Sequence, residues 1–347
     1  MHTSSLIKLT CLLLFLVSHS LQLNIRSWDP EDNSTETNAN ASAIALTIPI
    51  PTNNHSISDN PLNQPFSLRN WTLQLPIGYN NSFRTVKNPN LSIPGYSNDF
   101  FYLNKLGDAW TFHTPVLPKD GVHSSGSLFT RTELREMNST HDIKDNAAWD
   151  TVVGVHYMKV TQSIDAVSSP VEGKLISFQI HSFCCAVMTV RILAYYEDGD
   201  KYLLFADFDR FEEGSLTKII GADRYDLDRD YKLGTKFDLE VVVDNGLVYV
   251  YFNGFLKSPP QGYRTYLLAV YYKVGSYSQN VPSETIPGSA VNEVSIYKLE
   301  IYHGNQTYTH PTPSIPDYSH NNKNSAKRNI WHLFIPSLIL IFFLHLC

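Results

Sequence analysis

Residues 236–252 read KFDLEVVVDNGLVYVYF. Two apolar runs, 236–243 and 247–252, flank Asp244-Asn245-Gly246, and in the first of them Phe237, Leu239 and Val241 alternate with Asp238 and Glu240. A period of two is that of a strand with one buried face. Asn-Gly accepts the positive φ angles of a tight hairpin turn. The segment is therefore expected to fold as two antiparallel strands. Outward from it, similar short runs occupy 128–137, 152–164, 174–182, 187–196, 201–208, 265–274 and 292–302, with Glu197-Asp198-Gly199-Asp200 as a further turn signal. No long stretch has helical apolar spacing. Many strands at short intervals specify an all-β protein, here expected to be a jelly-roll β-sandwich of two antiparallel sheets whose concave face forms a cleft.

The chain has 347 residues, 43% of them hydrophobic, enough for a sizeable core. Its formal charge of −6 argues against a nucleic-acid partner, which needs a clustered basic surface. The strand-rich block covers residues 65–303, and the flanks differ in character. Residues 1–20 carry Lys8, an apolar run from Leu12 to Val17 and the small residues Ser18 and Ser20, the layout of a secretory signal peptide. That run is shorter than the ~20 apolar residues of a membrane span. Residues 21–64, rich in Asn, Ser, Thr, Pro and Asp, read as a mostly disordered, glycosylated leader. Acceptor sequences for N-glycosylation stand at Asn33, Asn40, Asn54, Asn70, Asn80, Asn90, Asn138 and Asn305, which fits an extracellular address.

Residues 304–324, rich in Pro, Asn and His, read as a stalk. Residues 325–347 read as an anchor signal: Ser325, Ala326, Lys327 and Arg328, then an apolar stretch from Ile330 to Cys347, which resembles a glycosylphosphatidylinositol attachment signal. A single membrane span is the competing reading, and it would put Lys327 and Arg328 on the outer side, against the positive-inside tendency. Cys11 and Cys347 fall in segments expected to be removed, leaving Cys184 and Cys185 as either a strained vicinal disulfide or small buried hydrophobes. No metal-ligand spacing involves them, and neither a metal nor a cofactor is expected. A monomer is expected.

Three of the runs carry a polar stripe. Strand alternation puts Arg131, Glu133 and Arg135 on one face with Thr132 and Leu134 behind. It puts Gln179 and His181 opposite Phe178 and Ile180, and it groups Lys273, Tyr277 and Gln279 provided the strand stays regular past Gly275. A solvated outer face is the plain alternative for any one of these. Gln, His, Tyr and paired Arg suit instead a groove for an anionic polymer, because Arg binds carboxylates through a two-pronged fork and Tyr offers a stacking ring with a titratable hydroxyl.

Arg131-Thr-Glu-Leu-Arg135, Gln179-Ile-His181 and Tyr271-Tyr-Lys-Val-Gly-Ser-Tyr277-Ser-Gln279 resemble, in order, the three signature blocks of the alginate lyases of polysaccharide lyase family 7. Ala148-Trp149 and Val250-Tyr-Phe-Asn253-Gly254 fit the same pattern. The resemblance covers about residues 65–303. It implies a metal-free β-elimination in which Arg131 and Gln179 neutralise a uronate carboxylate while His181 and Tyr277 move protons. It also implies substrate contacts at Arg135, Lys273 and Gln279, with Glu133 orienting the two arginines by an ion pair. Ile180 resembles members that act on guluronate-containing linkages. One departure stands out: residues 182–187, Ser-Phe-Cys-Cys-Ala-Val, lack the polar or glycine-rich loop found after the second block in the family. The rival readings are a non-catalytic carbohydrate-binding or adhesion protein on the same sandwich, and a lyase for another polyuronate such as glucuronan.

Overall fold

The computed structural model describes residues 64–304 apart from 80–81, 120, 124–126, 138–146, 183–184, 195–200, 213–214 and 216. The expected signal peptide, leader, stalk and anchor signal lie outside the described residues, save Gln64 and Gly304, and so does Cys184.

Strands β1 to β16 are numbered in chain order, and they form two antiparallel sheets. The first runs β10 (Ile219–Tyr231), β9 (Tyr202–Phe211), β8 (Ala186–Ala194), β7 (Lys174–His181), β15 (Tyr271–Ser278), β5 (Arg131–Glu136), β1 (Trp71–Tyr79), β2 (Ser82–Val86). The second runs β13 (Phe255–Leu256), β12 (Leu247–Phe252), β11 (Phe237–Asp244), β6 (Val155–Ala166), β16 (Val291–Gly304), β4 (Trp110–Pro115), β3 (Phe101–Leu103), with β14 (Tyr263–Arg264) paired to β12. This is the two-sheet sandwich expected from the strand pattern.

The 236–252 segment is a hairpin, with Asp244 paired to Leu247 across a two-residue turn. Asn245 and Gly246 take φ of 47° and 90°, as the right-handed twist of the two strands demands of such a turn. Phe237, Leu239, Val241 and Val243 enter the main core. Val242 faces the other way and packs with Val155, Tyr157 and Tyr251 in a small cluster. Leu134, Phe178, Ile180, Tyr272 and Val274 of the first sheet meet Phe112, Met158, Val160 and Ile296 of the second in the shared core.

Some expectations need correction. The run 265–274 is not one strand: β15 begins only at Tyr271, because Ala269 turns the chain with φ of 52° and Leu268 is exposed. Strands β1 to β4, β10, β13 and β14 had not been expected. β10 is the instructive miss, since it is an edge strand whose burial is mostly partial or nil, so its residues, IIGADRYDLDRDY, carry no apolar alternation. Between β7 and β8, Ser182 N–H bonds to Cys185 O at 2.8 Å. Cys185 is buried in the core.

Glu136, at the end of β5 and 4% exposed, ties the two sheets together. Its Oε2 accepts Tyr272 N–H of β15 at 2.9 Å and Trp149 Nε1–H at 3.1 Å, and its Oε1 lies 2.7 Å from His303 Nε2 of β16. Glu136→Ala removes the acceptor from three donors, of which the Tyr272 N–H is buried and the other two are partly buried. The expected cost is about 2–4 kcal/mol in denaturant unfolding; a cost under ~0.5 kcal/mol would show that the sheets do not rely on this carboxylate.

Candidate active site

The three polar blocks fall on adjacent strands. In the order β7, β15, β5, Gln179, Lys273 and Arg135 stand in one row across the sheet. His181 pairs with Tyr271, and Tyr277 pairs with Arg131. Thr132 turns to the opposite face, where its Oγ1 donates to His113 O at 2.7 Å, and Leu134, Phe178 and Ile180 are in the core. The alternation expected from each run therefore holds, and pairing of the strands joins the separate stripes into one surface.

β15 stays in register with β5 through Gly275 but gains a residue against β7 between Val274 and Tyr277. Gly275 permits this bulge. Its φ is +137°, and a Cβ there would sit 2.6 Å from Thr132 O and 2.8 Å from Phe112 Cδ1, so any side chain would clash with the neighbouring strand. Lys273 and Tyr277 consequently share the outer face.

Glu133 is fully buried beneath this face. It forms ion pairs with Lys273 and, at 3.6 Å, with Arg131, and it accepts a hydrogen bond from Gln179 Nε2. Burial alone would raise its pKa, but Lys273 and Arg131 outweigh burial and hold it below the usual carboxylate value. Burial pulls the Lys273 ammonium down to about 7; Glu133 opposes that shift and Arg131 adds to it. Glu133 thus pairs with Arg131, one of the two arginines it was expected to orient. Its other partners are Lys273 and Gln179, whereas Arg135 lies over the Tyr271 ring at 3.9 Å.

His181 is half-buried at one end of the row. Its Nδ1 contacts the Ser182 carbonyl oxygen and lies 3.2 Å from Tyr271 Oη. A carbonyl can only accept, so Nδ1 carries the hydrogen and Nε2 is left as the basic nitrogen. Burial, helped by the charge of Lys273, pulls the imidazole down to about 4. At the other end, Arg131 lies 3.9 Å over the Tyr277 ring, Phe129 meets it edge-on at 6.5 Å, and the Tyr277 hydroxyl is 2.6 Å from Ser127 Oγ. Strand geometry puts the backbones of His181 and Tyr277 on the order of 15–20 Å apart, a span that two extended side chains and one pyranose ring between them fill.

Gln279 lies just past β15, where its side chain donates to Ser278 O at 2.7 Å. It borders a cavity of about 350 Å³ with Lys174, Arg191, Phe205, Asp207 and Arg224. This cavity continues the same face, since Tyr277 pairs with Ile176 and Ile176 with Arg191. The sequence reading missed Tyr271 and Ser127. Tyr271 was within reach of the alternation rule, two positions before Lys273. Ser127 lies in a connection with no periodicity, and only the fold brings it to Tyr277.

A family model described as alginate lyase matches residues 66–303. The solved alginate lyase AlgAT5 from polysaccharide lyase family 7 is 32% identical, with 68% of this chain and 95% of that one covered and a TM-score of 0.55. The alginate lyase from Corynebacterium sp. is 26% identical over 68% of this chain and 95% of its own, at a TM-score of 0.54. Alginate lyase A1-II′, a member of polysaccharide lyase family 7, is 25% identical over 70% and 99%, at 0.55. No curated protein matches the chain.

The environment of His181 leads to a measurable expectation. Its imidazole should stay neutral through the range of about pH 5–8 in which histidines usually switch, and should take a second proton only near about 4. An unfolded chain takes that proton at about 6.5, so the site loses stability as pH falls from the unfolded value towards the folded one. NMR titration of His181 is the check, and a midpoint at the ordinary histidine value would overturn this account of its environment.

Proposed function

The chain belongs to the alginate lyases of polysaccharide lyase family 7, and on that premise we propose that it cleaves the 1,4-linked uronate chain of alginate by β-elimination, leaving a 4,5-unsaturated sugar at the new end. The observation that carries the reading is the row Gln179, Lys273, Arg135 with Arg131 beside it, a cationic floor lying between a neutral imidazole and a tyrosine hydroxyl.

The C5 hydrogen of a uronate is weakly acidic, because the adjacent carboxylate opposes further negative charge. Arg131, and the second hydrogen on Gln179 Nε2, offset that charge as it grows, which is electrostatic stabilisation of the transition state. Glu133 holds both in place. The Nε2 of His181 can accept the C5 proton while Tyr277 gives one to the O4 leaving oxygen. In guluronate these two lie on opposite sides of the ring, which suits two groups at opposite ends of the row. In mannuronate they lie on the same side, and Tyr277 alone serves both steps. We favour guluronate-containing linkages. Ile180 supports this only indirectly, since it is in the core and can act on the cleft only through the position of β7. Lys174, Arg191 and Arg224 extend positive charge along the face and would hold neighbouring uronates of a polymer.

Tyr277→Phe keeps the ring and removes the proton donor. Turnover, followed by ultraviolet absorbance of the unsaturated product, should fall by about 10² to 10⁴, with polymer binding nearly unchanged, so the loss appears in kcat. His181→Ala should harm guluronate blocks more than mannuronate blocks. A Tyr277→Phe protein that still turned over alginate, glucuronan and other polyuronates at normal rates would remove the assignment; binding without cleavage by the wild type would favour a carbohydrate-binding role.

We also propose display at the cell surface through a lipid anchor, supported by the eight glycosylation sequences and the apolar stretch from Ile330 to Cys347 after Lys327 and Arg328. A phosphatidylinositol-specific phospholipase should release the protein from cells expressing the full chain. Release by detergent alone would favour a membrane span.

A further inference from the structure

Ser127 lies in the connection between β4 and β5, and its hydroxyl is 2.6 Å from that of Tyr277. Resting on the reading of Tyr277 as the tyrosine that moves protons, we propose that Ser127 is its positioning residue, a hydroxyl that donates to the Tyr277 oxygen whenever that oxygen is charged or must release its own proton.

Ser127 Oγ accepts Phe129 N–H at 3.0 Å, which fixes the oxygen in place. Its single hydrogen then has two acceptors in reach, Tyr277 Oη at 2.6 Å and Phe129 O at 3.4 Å. The two arrangements have different consequences. With the serine hydrogen on Phe129 O, the tyrosine donates to Ser127 and its proton is tied up. With the serine hydrogen on Tyr277 Oη, the phenol proton is free to point into the cleft. A carboxylate or carbonyl at this position could only accept and an ammonium could only donate, whereas a hydroxyl serves both states. The ring itself is held by Arg131 above it and Phe129 at its edge, so the direction of the phenol O–H is the variable that Ser127 controls. Among the described residues, Arg131 lies over the Tyr277 ring and is paired with the buried Glu133, which also pairs with Lys273 farther along the same face.

The proton balance on a mannuronate linkage is as follows. The ionised Tyr277 oxygen takes the C5 hydrogen, so the C5–H bond breaks and an O–H bond forms, and the electron pair passes to C5 and its carboxylate. That pair then forms the C4–C5 double bond as C4–O4 breaks, and the proton moves from Tyr277 to O4. The net transfer is from C5 to O4, and Ser127 keeps its own proton throughout. A hydrogen bond to the charged oxygen favours ionisation, so removing it makes the base form harder to reach.

The test compares wild type, Ser127→Ala, Ser127→Thr and Tyr277→Phe in the full chain on mannuronate-rich alginate, with kcat and KM measured across pH. Ser127→Ala should lower kcat about tenfold or more, leave KM within about twofold, and move the pH of half-maximal kcat upward by about one unit, the size expected for one hydrogen bond to a charged group. Ser127→Thr restores the hydroxyl and should restore both. Ser127→Cys, a weak donor, should fall between, and it carries the test if the alanine protein folds poorly. An unmoved pH profile, a loss confined to KM, or a defect that threonine does not rescue would each overturn the role. Tyr277→Phe separates the two claims: if it is inactive while Ser127→Ala behaves as wild type, only Ser127 is removed, whereas an active Tyr277→Phe removes the assignment of Tyr277 and the inference with it.

Discussion

The buried carboxylate of Glu133 is the constraint around which the site is arranged. A carboxylate with no solvent exposure is costly unless it is paired and hydrogen-bonded on several sides. Lys273, Arg131 and Gln179 meet that need from three different strands. Because each partner must reach one point, their side chains lose the freedom that Lys, Arg and Gln have on a solvated face. Cationic groups are thereby fixed where a uronate carboxylate would take up charge, before any substrate arrives. Such a group stabilises the protein only conditionally, since removal of one partner leaves the others as uncompensated buried charge, typically worth about 3–5 kcal/mol.

The same cationic cluster sets the chemistry of its neighbours. Lys273 lies near enough to His181 to add to the effect of burial in keeping the imidazole neutral. The carbonyl of Ser182 takes the Nδ1 hydrogen and so decides which nitrogen is basic. The N–H of the same residue bonds to Cys185 O at 2.8 Å, between the end of β7 and the start of β8. At the other end of the row, Arg131 serves twice, as a partner of Glu133 and as a cation over the Tyr277 ring. The imidazole of His181, the ring of Tyr277 and the cationic groups around Glu133 are thus parts of one electrostatic unit.

Most of the sandwich was legible before the structure. Runs such as 174–182 and 236–243 alternate because one face must be buried and the other need not be, and β7 (Lys174–His181) and β11 (Phe237–Asp244) lie where those runs do. β1 and β4 escaped notice although Trp71, Leu73 and Leu75 in the one and Trp110 and Phe112 in the other alternate with polar residues and enter the core, whereas other missed strands lack that signal for identifiable reasons. β10 is an edge strand with little buried surface, β3, β13 and β14 are two or three residues long, and the start of β15 is set by a turn at Ala269 and not by composition. Within the site, the division of Arg131, Glu133, Gln179, His181 and Lys273 onto polar faces followed from a period of two alone. The partners of Glu133 did not, because the pairing of distant strands chooses them.

The sequence by itself determined which side chains of each strand share a face, that the chain builds two antiparallel sheets, and which three segments bear the charged and titratable residues. These are local properties, set by the alternation of the pleat and by turn residues such as Asn245 and Gly246. Only the tertiary structure decided that β7, β15 and β5 lie side by side, although β15 begins about 90 residues after β7 ends and about 135 after β5 ends. It also decided that Glu133 is sealed beneath them, and that Ser127 from an irregular connection meets Tyr277. Those outcomes depend on long-range strand order and on the bulge that Gly275 allows, where the cost of closing long loops is offset only by burial of the whole shared core. No window of sequence contains that sum.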